Sequence, residues 1–318
     1  MSIRFIGFKA SLWLCFVAST LAQERAFWSV KPLQPNQSLF WISTSYFDAT
    51  EEFAVAGFRR DLFRVATTDE TSFPVTDARF IDRVVALHYE YGYSRKLTIA
   101  GYLGFRGIST TYTETDYPQG VPTFLAKIIR SSGFTDLWLW GRYELLNPIR
   151  LKFPFRLAAQ AGVKLPTGDI LAPVPLGTGM LDYEARLLGE LTFFVNRIPA
   201  YLVFDAGYRL RGGDYKDQTL YRAELGLSAA QEVLLRVGLS GLASLGKLGR
   251  LIGIGEIPRP AATRPLNILG DERYGQITLG LQANFSPTFA VLVDYQRRLY
   301  GNATFFGESV QVSVALLR

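Results

Sequence analysis

The chain has 318 residues, 48% of them apolar and 14% aromatic, with a formal net charge of +6 at neutral pH. That charge is too small, and its basic and acidic residues too evenly interleaved, to mark a nucleic-acid-binding protein. A single cysteine, Cys15, excludes a disulfide framework and a cysteine-held metal site.

The first 22 residues read as a secretory signal peptide. Arg4 and Lys9 precede an apolar run over residues 10–18, and Thr20 and Ala22 supply small residues for cleavage before Gln23. Leu14 stands where a lipoprotein signal needs a small residue, which argues against lipidation of Cys15. Removing the signal takes away the cysteine and two positive charges, leaving an exported chain of about +4 without a thiol. Beyond it no apolar run approaches the roughly 20 residues of a membrane helix. No linker or low-complexity tract divides residues 23–318, so one domain is expected.

Residues 23–37, with Pro32 and Pro35, form an irregular periplasmic lead-in, and residues 39–47 are the first strand candidate. Residues 48–78 are polar and ambiguous: one long excursion, or a hairpin of their own. From residue 79 the pattern becomes regular. Over 80–91, Ile81, Val85, Leu87, Tyr89 and Tyr91 share one face, and Asp82, His88 and Glu90 the other. A short turn at 92–96 leads to a strand over 97–105, then to a long connection over 108–132 containing Pro118, Gly120 and Pro122. Residues 134–145 set Leu137, Leu139 and Tyr143 against Asp136, Trp138, Trp140, Arg142 and Glu144. Asn147-Pro148 makes a tight turn. Residues 150–164 oppose Phe155, Leu157, Ala159, Ala161 and Val163 to Arg156, Gln160 and Lys164.

A Gly/Pro-rich loop over 166–178 delivers the longest alternating stretch, residues 179–196. There Leu181, Tyr183, Ala185, Leu187, Gly189, Leu191, Phe193 and Val195 make one apolar face. The other carries Asp182, Glu184, Arg186, Leu188, Glu190, Thr192 and Phe194. Side chains alternate across a strand, so this is one long amphipathic β-strand. Further strands follow over 200–210 with Asp205 and Arg209 on the polar face, 220–228 with Arg222 and Glu224, and 233–243 with Arg236. A long loop over 246–273 precedes three last strands at 275–285, 289–300 and 306–317.

Short and long connections alternate, as in barrels with tight periplasmic turns and longer extracellular loops. Counting 48–78 as one outside loop gives about twelve strands; an extra hairpin there would give fourteen. A soluble barrel of twelve strands would enclose more space than apolar side chains can fill, since eight strands are already just filled. The apolar faces therefore belong against lipid and the charges inside. The expected fold is all-β: a transmembrane antiparallel up-and-down β-barrel in the bacterial outer membrane, with both mature termini periplasmic. Tyr89, Tyr91, Tyr143, Phe193 and Phe285 then fall outward near the short turns, where an aromatic girdle sits. In this orientation Arg in place of Leu187 should cost about 2–4 kcal/mol, and Arg in place of inward Leu188 much less.

Five stretches in order carry a family resemblance: YEYGYSRKLTIAGYLGF (89–105), GFTDLWLWGRYELL (133–146), AAQAGVKLPTGD (158–169), LGTGMLDYEARLLGE (176–190) and AGYRLRGGDY (206–215). They resemble the bacterial outer-membrane transporters named for the meta pathway of phenol degradation. The resemblance implies an outer-membrane barrel and uptake of small hydrophobic or aromatic compounds, and supplies no catalytic residues. One departure is the C-terminal sequence Val314-Ala315-Leu316-Leu317-Arg318, which lacks the terminal aromatic many such barrels use in assembly.

The inward-facing charges are the chemically rich part of the chain. Ordering them by distance from the short turns pairs Arg156 with Glu190, Lys164 with Asp182, Glu184 with Arg209, Asp205 with Arg222, and Glu224 with Arg236. Ionisable groups at membrane depth pair with one another or face water, so two readings stand: a salt-bridged lumen that braces the barrel, or a polar path for a small solute. Trp138 and Trp140 either contact an aromatic solute or fill the lumen. An enzyme would need a positioned Ser–His arrangement, but the sole histidine, His88, shares no local motif with a serine. The glycine pairs 177/179 and 253/255 open no helix and make no nucleotide loop. The expectation is therefore a passive channel without cofactor, its partners membrane lipid and a small solute. The alternative is a closed structural or adhesion barrel with functional loops.

Overall fold

Alternating side chains and β-branched or aromatic residues extend most of the chain into strands. The protein is described by a computed structural model covering residues 30–54, 56–63, 75–116, 121–147, 154–213, 215–230, 232–246 and 272–318. The proposed signal peptide, residues 23–29 of the lead-in and most of the late loop lie outside the described residues. The strands are β1 (Ser38–Phe53), β2 (Arg59–Asp61), β3 (Val75–Gly92), β4 (Leu97–Asp116), β5 (Thr123–Phe134), β6 (Leu137–Leu146) and β7 (Phe155–Leu165). They continue with β8 (Asp182–Val195), β9 (Ile198–Leu210), β10 (Gln218–Ser228), β11 (Val233–Ser244), β12 (Arg273–Ser286), β13 (Phe289–Asn302) and β14 (Thr304–Leu317).

Each strand pairs antiparallel with its chain neighbour, and β14 pairs back onto β1 from Leu39↔Leu317 to Phe53↔Thr304. The sheet is a closed barrel of twelve strands. Two segments lie beyond that count: β2 is a three-residue fold-back on β1, and β5 and β6 share one place in the wall. β4 pairs with β6 up to Tyr102↔Trp138 and with β5 from Phe105↔Phe134. The break at Thr135 is bridged by its amide donating to Gly104 O at 2.8 Å.

The sequence reading differs from the structure at this upper edge. Residues 108–132 are not a loop. β4 and β5 continue through them as a tall hairpin, and only residues 117–122 connect the two strands. The run Ser109-Thr-Thr-Tyr-Thr is polar, yet it is strongly β-forming, because hydroxyl and aromatic side chains pack well on a pleated surface. Likewise β1 runs on to Phe53 and β3 begins at Val75, so the polar stretch 48–78 is largely strand at both ends.

One end of the barrel carries the tight turns. Asn196 and Arg197 take φ of 47° and 72°, the left-handed pair that matches the twist of β8 and β9. The wall between the ends is apolar outside: Ile42, Val85, Leu87, Leu139, Leu187, Leu235, Val293 and Val314 are each more than 40% exposed. Leu187 is 50% exposed, whereas its neighbour Leu188 is 2% exposed. The lipid-facing and interior-facing sides of β8 follow from those two values.

Candidate functional site: the barrel interior

Because alternate residues of every strand point inward, the interior is a stack of side-chain layers. At the short-turn end, His88 lies between the rings of Trp41 and Trp140, each with a centroid separation of 5.4 Å. His88 meets Glu90 at 3.1 Å, and Glu90 binds Arg142 at 2.7 Å. Arg156 bridges Glu144 and Glu190, both at 3.2 Å. Across the lumen Arg236 binds Asp294 at 2.5 Å and lies 3.9 Å from Glu224, which also accepts the Tyr201 hydroxyl.

The lead-in enters this same end. Val30 is fully buried in a cluster with Ala158, Leu188, Tyr201, Val203 and Leu234, all on interior faces. Its amide donates to Glu190 at 3.2 Å, and the amide of Leu33 donates to Thr98 Oγ1 at 2.9 Å. The chain then passes so close over Gly92 that a β-carbon there would stand 2.0 Å from Gln34 O. The short-turn mouth is therefore filled by the protein's own N-terminal segment. Leu188 faces inward into an apolar cluster, so it is not the tolerant position that inward orientation alone suggested.

The middle layers are charge-rich and internally matched. Glu184 binds Arg186 at 2.5 Å and Arg209 at 2.8 Å. Asp205 binds Arg186 at 3.1 Å and Arg222 at 2.9 Å. Arg209 also stacks over Trp138, 4.7 Å from its ring centre. Lys164 binds Asp182 at 2.6 Å and Asp136 at 3.3 Å. Arg106 forms a two-pronged pair with Asp82 at 2.6 and 2.9 Å. The five pairings read from strand order stand at 3.2, 2.6, 2.8, 2.9 and 3.9 Å, the loosest being Glu224–Arg236, since Asp294 takes the arginine.

Between these layers and the long-loop end lie two adjoining cavities of about 350 and 230 Å³, which share Asp82, Arg106 and Glu272 on their walls. The larger one is walled further by Tyr102, Trp138 and Leu242 and by the charged Lys164, Asp182 and Arg209, among others. Above them an apolar cluster fills the barrel: Phe80, Ile108, Tyr112 and Phe305 from the wall, Leu62 and Phe63 beyond β2, and Ala172, Val174 and Leu176 from the β7–β8 connection. That connection folds inward because Asp136 holds it. The Asp136 carboxylate accepts the amides of Gly168 and Thr178, both at 3.0 Å. Ser131 holds it from the wall, accepting the Val174 amide at 2.8 Å.

Sequence reasoning missed Arg106, Asp294, Arg211, which lies 3.9 Å from Asp182, and Arg298, which donates to Phe305 O at 2.9 Å. Asp294 and Arg298 follow the inward parity of β13, and Arg106 follows that of β4 one residue beyond its expected end. Val30, Val174 and Leu176 carry no periodic signal, because they enter the interior from connections. No group of three or more His, Cys, Asp or Glu side chains arranged to hold a metal occurs among the described residues.

No family model matches the sequence, and no curated protein matches it. Among solved structures, the COG4313 outer membrane channel from Pseudomonas putida F1 is similar in fold, with a TM-score of 0.58 at 13% identity over 92% of this chain and 98% of that one. The NanC porin aligns at a TM-score of 0.46 and 6% identity over 87% of this chain and 98% of that one. The CymD monoaromatic hydrocarbon channel aligns at 0.37 and 11% identity over 90% and 89%. The last two align too loosely to carry any argument. The first, at 13% identity, shows the fold alone: a closed β-barrel.

Proposed function

We propose that the chain is an outer-membrane channel for small, uncharged solutes of hydrophobic or aromatic character. The short turns and both mature ends would face the periplasm after removal of residues 1–22. The resemblance to the phenol-degradation transporters belongs to the same proposal. The observation that carries it is the order of the interior: an apolar cluster around Phe80 and Leu176, then the cavities beside Trp138, then layers of mutually paired charge. A solute with net charge would have to compete with ion pairs already satisfied, whereas a neutral one meets apolar side chains first and an indole beside water-sized space next. Burying an unpaired charge there costs several kcal/mol, as it does in a membrane interior.

The test is uptake into liposomes carrying the purified barrel. Small aromatic compounds should equilibrate faster than in protein-free vesicles, and sugars and amino acids should not. Equal rates with and without the barrel, together with no conductance in planar bilayers, would reject transport. A second reading has its own support: the filled mouth at Val30 and the paired layers also suit a closed, structural barrel whose loops do the work. That reading requires the barrel to remain silent in both assays even after Val30 is displaced.

A further inference from the structure

On one side of the outer wall, apolar residues give way to polar and charged ones along a row of paired strands. Along a single hydrogen-bonded row lie Arg130 on β5, Ser109 on β4, Ile81 on β3, Asp48 on β1, Glu308 on β14 and Arg297 on β13. Below this row on the outer face stand Phe134, Phe105 and Val85, which are 57%, 49% and 53% exposed. Along this row the outer face passes from apolar to polar and charged residues, as a barrel does towards the headgroups, and Ile128 and Leu299, 59% and 50% exposed, stand beyond it.

Most arginines of this band are neutralised on the wall. Arg79 binds Asp48, Arg59 binds Glu51, and Arg297 binds Glu308 at 3.5 Å. Arg83 and Arg130 differ. Both are exposed, both point outward by parity with inward Asp82 and Ile129, and neither has a carboxylate within ion-pair distance among the described residues. Arg83 leans only on the ring of Tyr46, 5.7 Å away.

The wall between them is low. Arg83 pairs in register with Gly107, which pairs with Ser132, and the row above places Ser109 beside Arg130. A β-carbon on Gly107 would meet nothing within 4 Å, so the floor is open. From strand spacing and rise, the two arginine backbones are roughly 12 Å apart. Two guanidinium groups can therefore converge on one phosphate above the glycine, with the Ser109 and Ser132 hydroxyls beside it as donors. Arginine forks suit phosphate oxygens better than any other side chain.

The geometry points to a binding site on the outer wall for the phosphorylated sugar headgroup of an outer-leaflet glycolipid, held by Arg83 and Arg130 over the Gly107 recess. A phosphate supplies the charge both arginines lack, sugar hydroxyls match the two serines, and acyl chains continue down over Phe105 and Phe134. The leaflet rests on the orientation proposed above; the site itself does not.

The test uses the delipidated full-length barrel in detergent micelles, where no leaflet exists. Diphosphoryl lipid A should bind, and the double variant Arg83→Ala/Arg130→Ala should bind it at least about tenfold more weakly, the loss of two charge-assisted contacts. Arg79→Ala, whose arginine already has Asp48, should bind as the parent does. Binding undiminished in the double variant, equal binding of phosphatidylglycerol, or displacement by millimolar inorganic phosphate would each overturn the site. Retention of heat-modifiable mobility shows that the variants are folded. A thiol-reactive label on Thr123→Cys, exposed at the end of β5 away from the recess, reports the orientation separately in intact cells: labelling supports the outer leaflet, and its failure overturns the leaflet without touching the micelle result.

Discussion

The backbone amide of Val30 donates to the buried Glu190 carboxylate, itself paired with Arg156, and so ties the lead-in to an interior ion pair 160 residues away. Val30→Asp sets a second carboxylate against Glu190 inside an apolar cluster, an arrangement that costs several kcal/mol because like charges at low dielectric repel. The lead-in should leave the mouth and conductance in planar bilayers should rise severalfold, with Val30→Ala showing a smaller rise. A lead-in that becomes accessible to protease while conductance stays at the parent level would show that it does not close the channel.

Leu187 and Leu188 are adjacent in sequence and opposite in consequence. Leu187→Ala removes a side chain that is half exposed to lipid and should cost no more than about 1 kcal/mol. Leu188→Ala removes one packed against Val30 and Tyr201 and should cost about 2–4 kcal/mol. Denaturant titration of the barrel refolded in lipid would measure both. Equal costs would place the Val30 cluster elsewhere than the interior.

That contrast also shows what a single sequence carries. The two-residue period made the wall legible: Asp182, Glu184 and Arg186 alternate with Tyr183, Ala185 and Leu187, and hydrogen-bonded register then brings acids on one strand beside bases on the next. Strand heights are less legible. The Ser109–Thr115 run is polar and reads as loop, yet its β-forming hydroxyl and aromatic side chains continue the strand in register with β5. What fills the lumen was not legible at all. Val30, Val174 and Leu176 come from connections, where no periodicity says which side chain turns inward. Asp136 looked like one more lumen charge, yet its role is to hold backbone amides of a chain segment 32 and 42 residues away.

Asp136→Ala should release that segment. It removes two amide acceptors and one partner of Lys164, each contact of this kind contributing about 1.5–3 kcal/mol. Protease cleavage within residues 166–181 of the folded barrel should appear in the variant and be absent from the parent. Asp136→Asn keeps a single acceptor oxygen and should give intermediate cleavage. Protection unchanged in Asp136→Ala would mean that Ser131 and the apolar cluster hold the segment unaided.

The connection between β9 and β10 has its own carboxylate lock. The Tyr208 hydroxyl bonds Asp217 at 2.6 Å and the Arg211 amide bonds it at 2.9 Å, which together hold the Asp217 carboxyl below the usual aspartate value. A lowered folded value means that order is present at and above the ordinary aspartate range and is lost as pH falls through the lowered one. Protection of the Arg211 amide from hydrogen exchange, corrected for intrinsic rate, should persist through mild acid and fall only below about pH 4. Asp217→Asn should flatten the profile. A fall centred near neutrality would assign the lock to another group.

Trp138 offers the sharpest contrast between passage and bracing. Its ring faces the larger cavity while Arg209 stacks on it and simultaneously binds Glu184. If aromatic solutes pass through this space, Trp138→Ala should slow their uptake about three- to tenfold, the worth of one aromatic contact. The same change empties volume, so leakage of small sugars should rise. A barrel in which the indole only braces Arg209 behaves differently: Trp138→Ala lowers the denaturation midpoint and leaves the ratio of aromatic to sugar flux where it was. The flux ratio, rather than either flux alone, is the quantity to measure, because a variant with fewer folded barrels lowers both together.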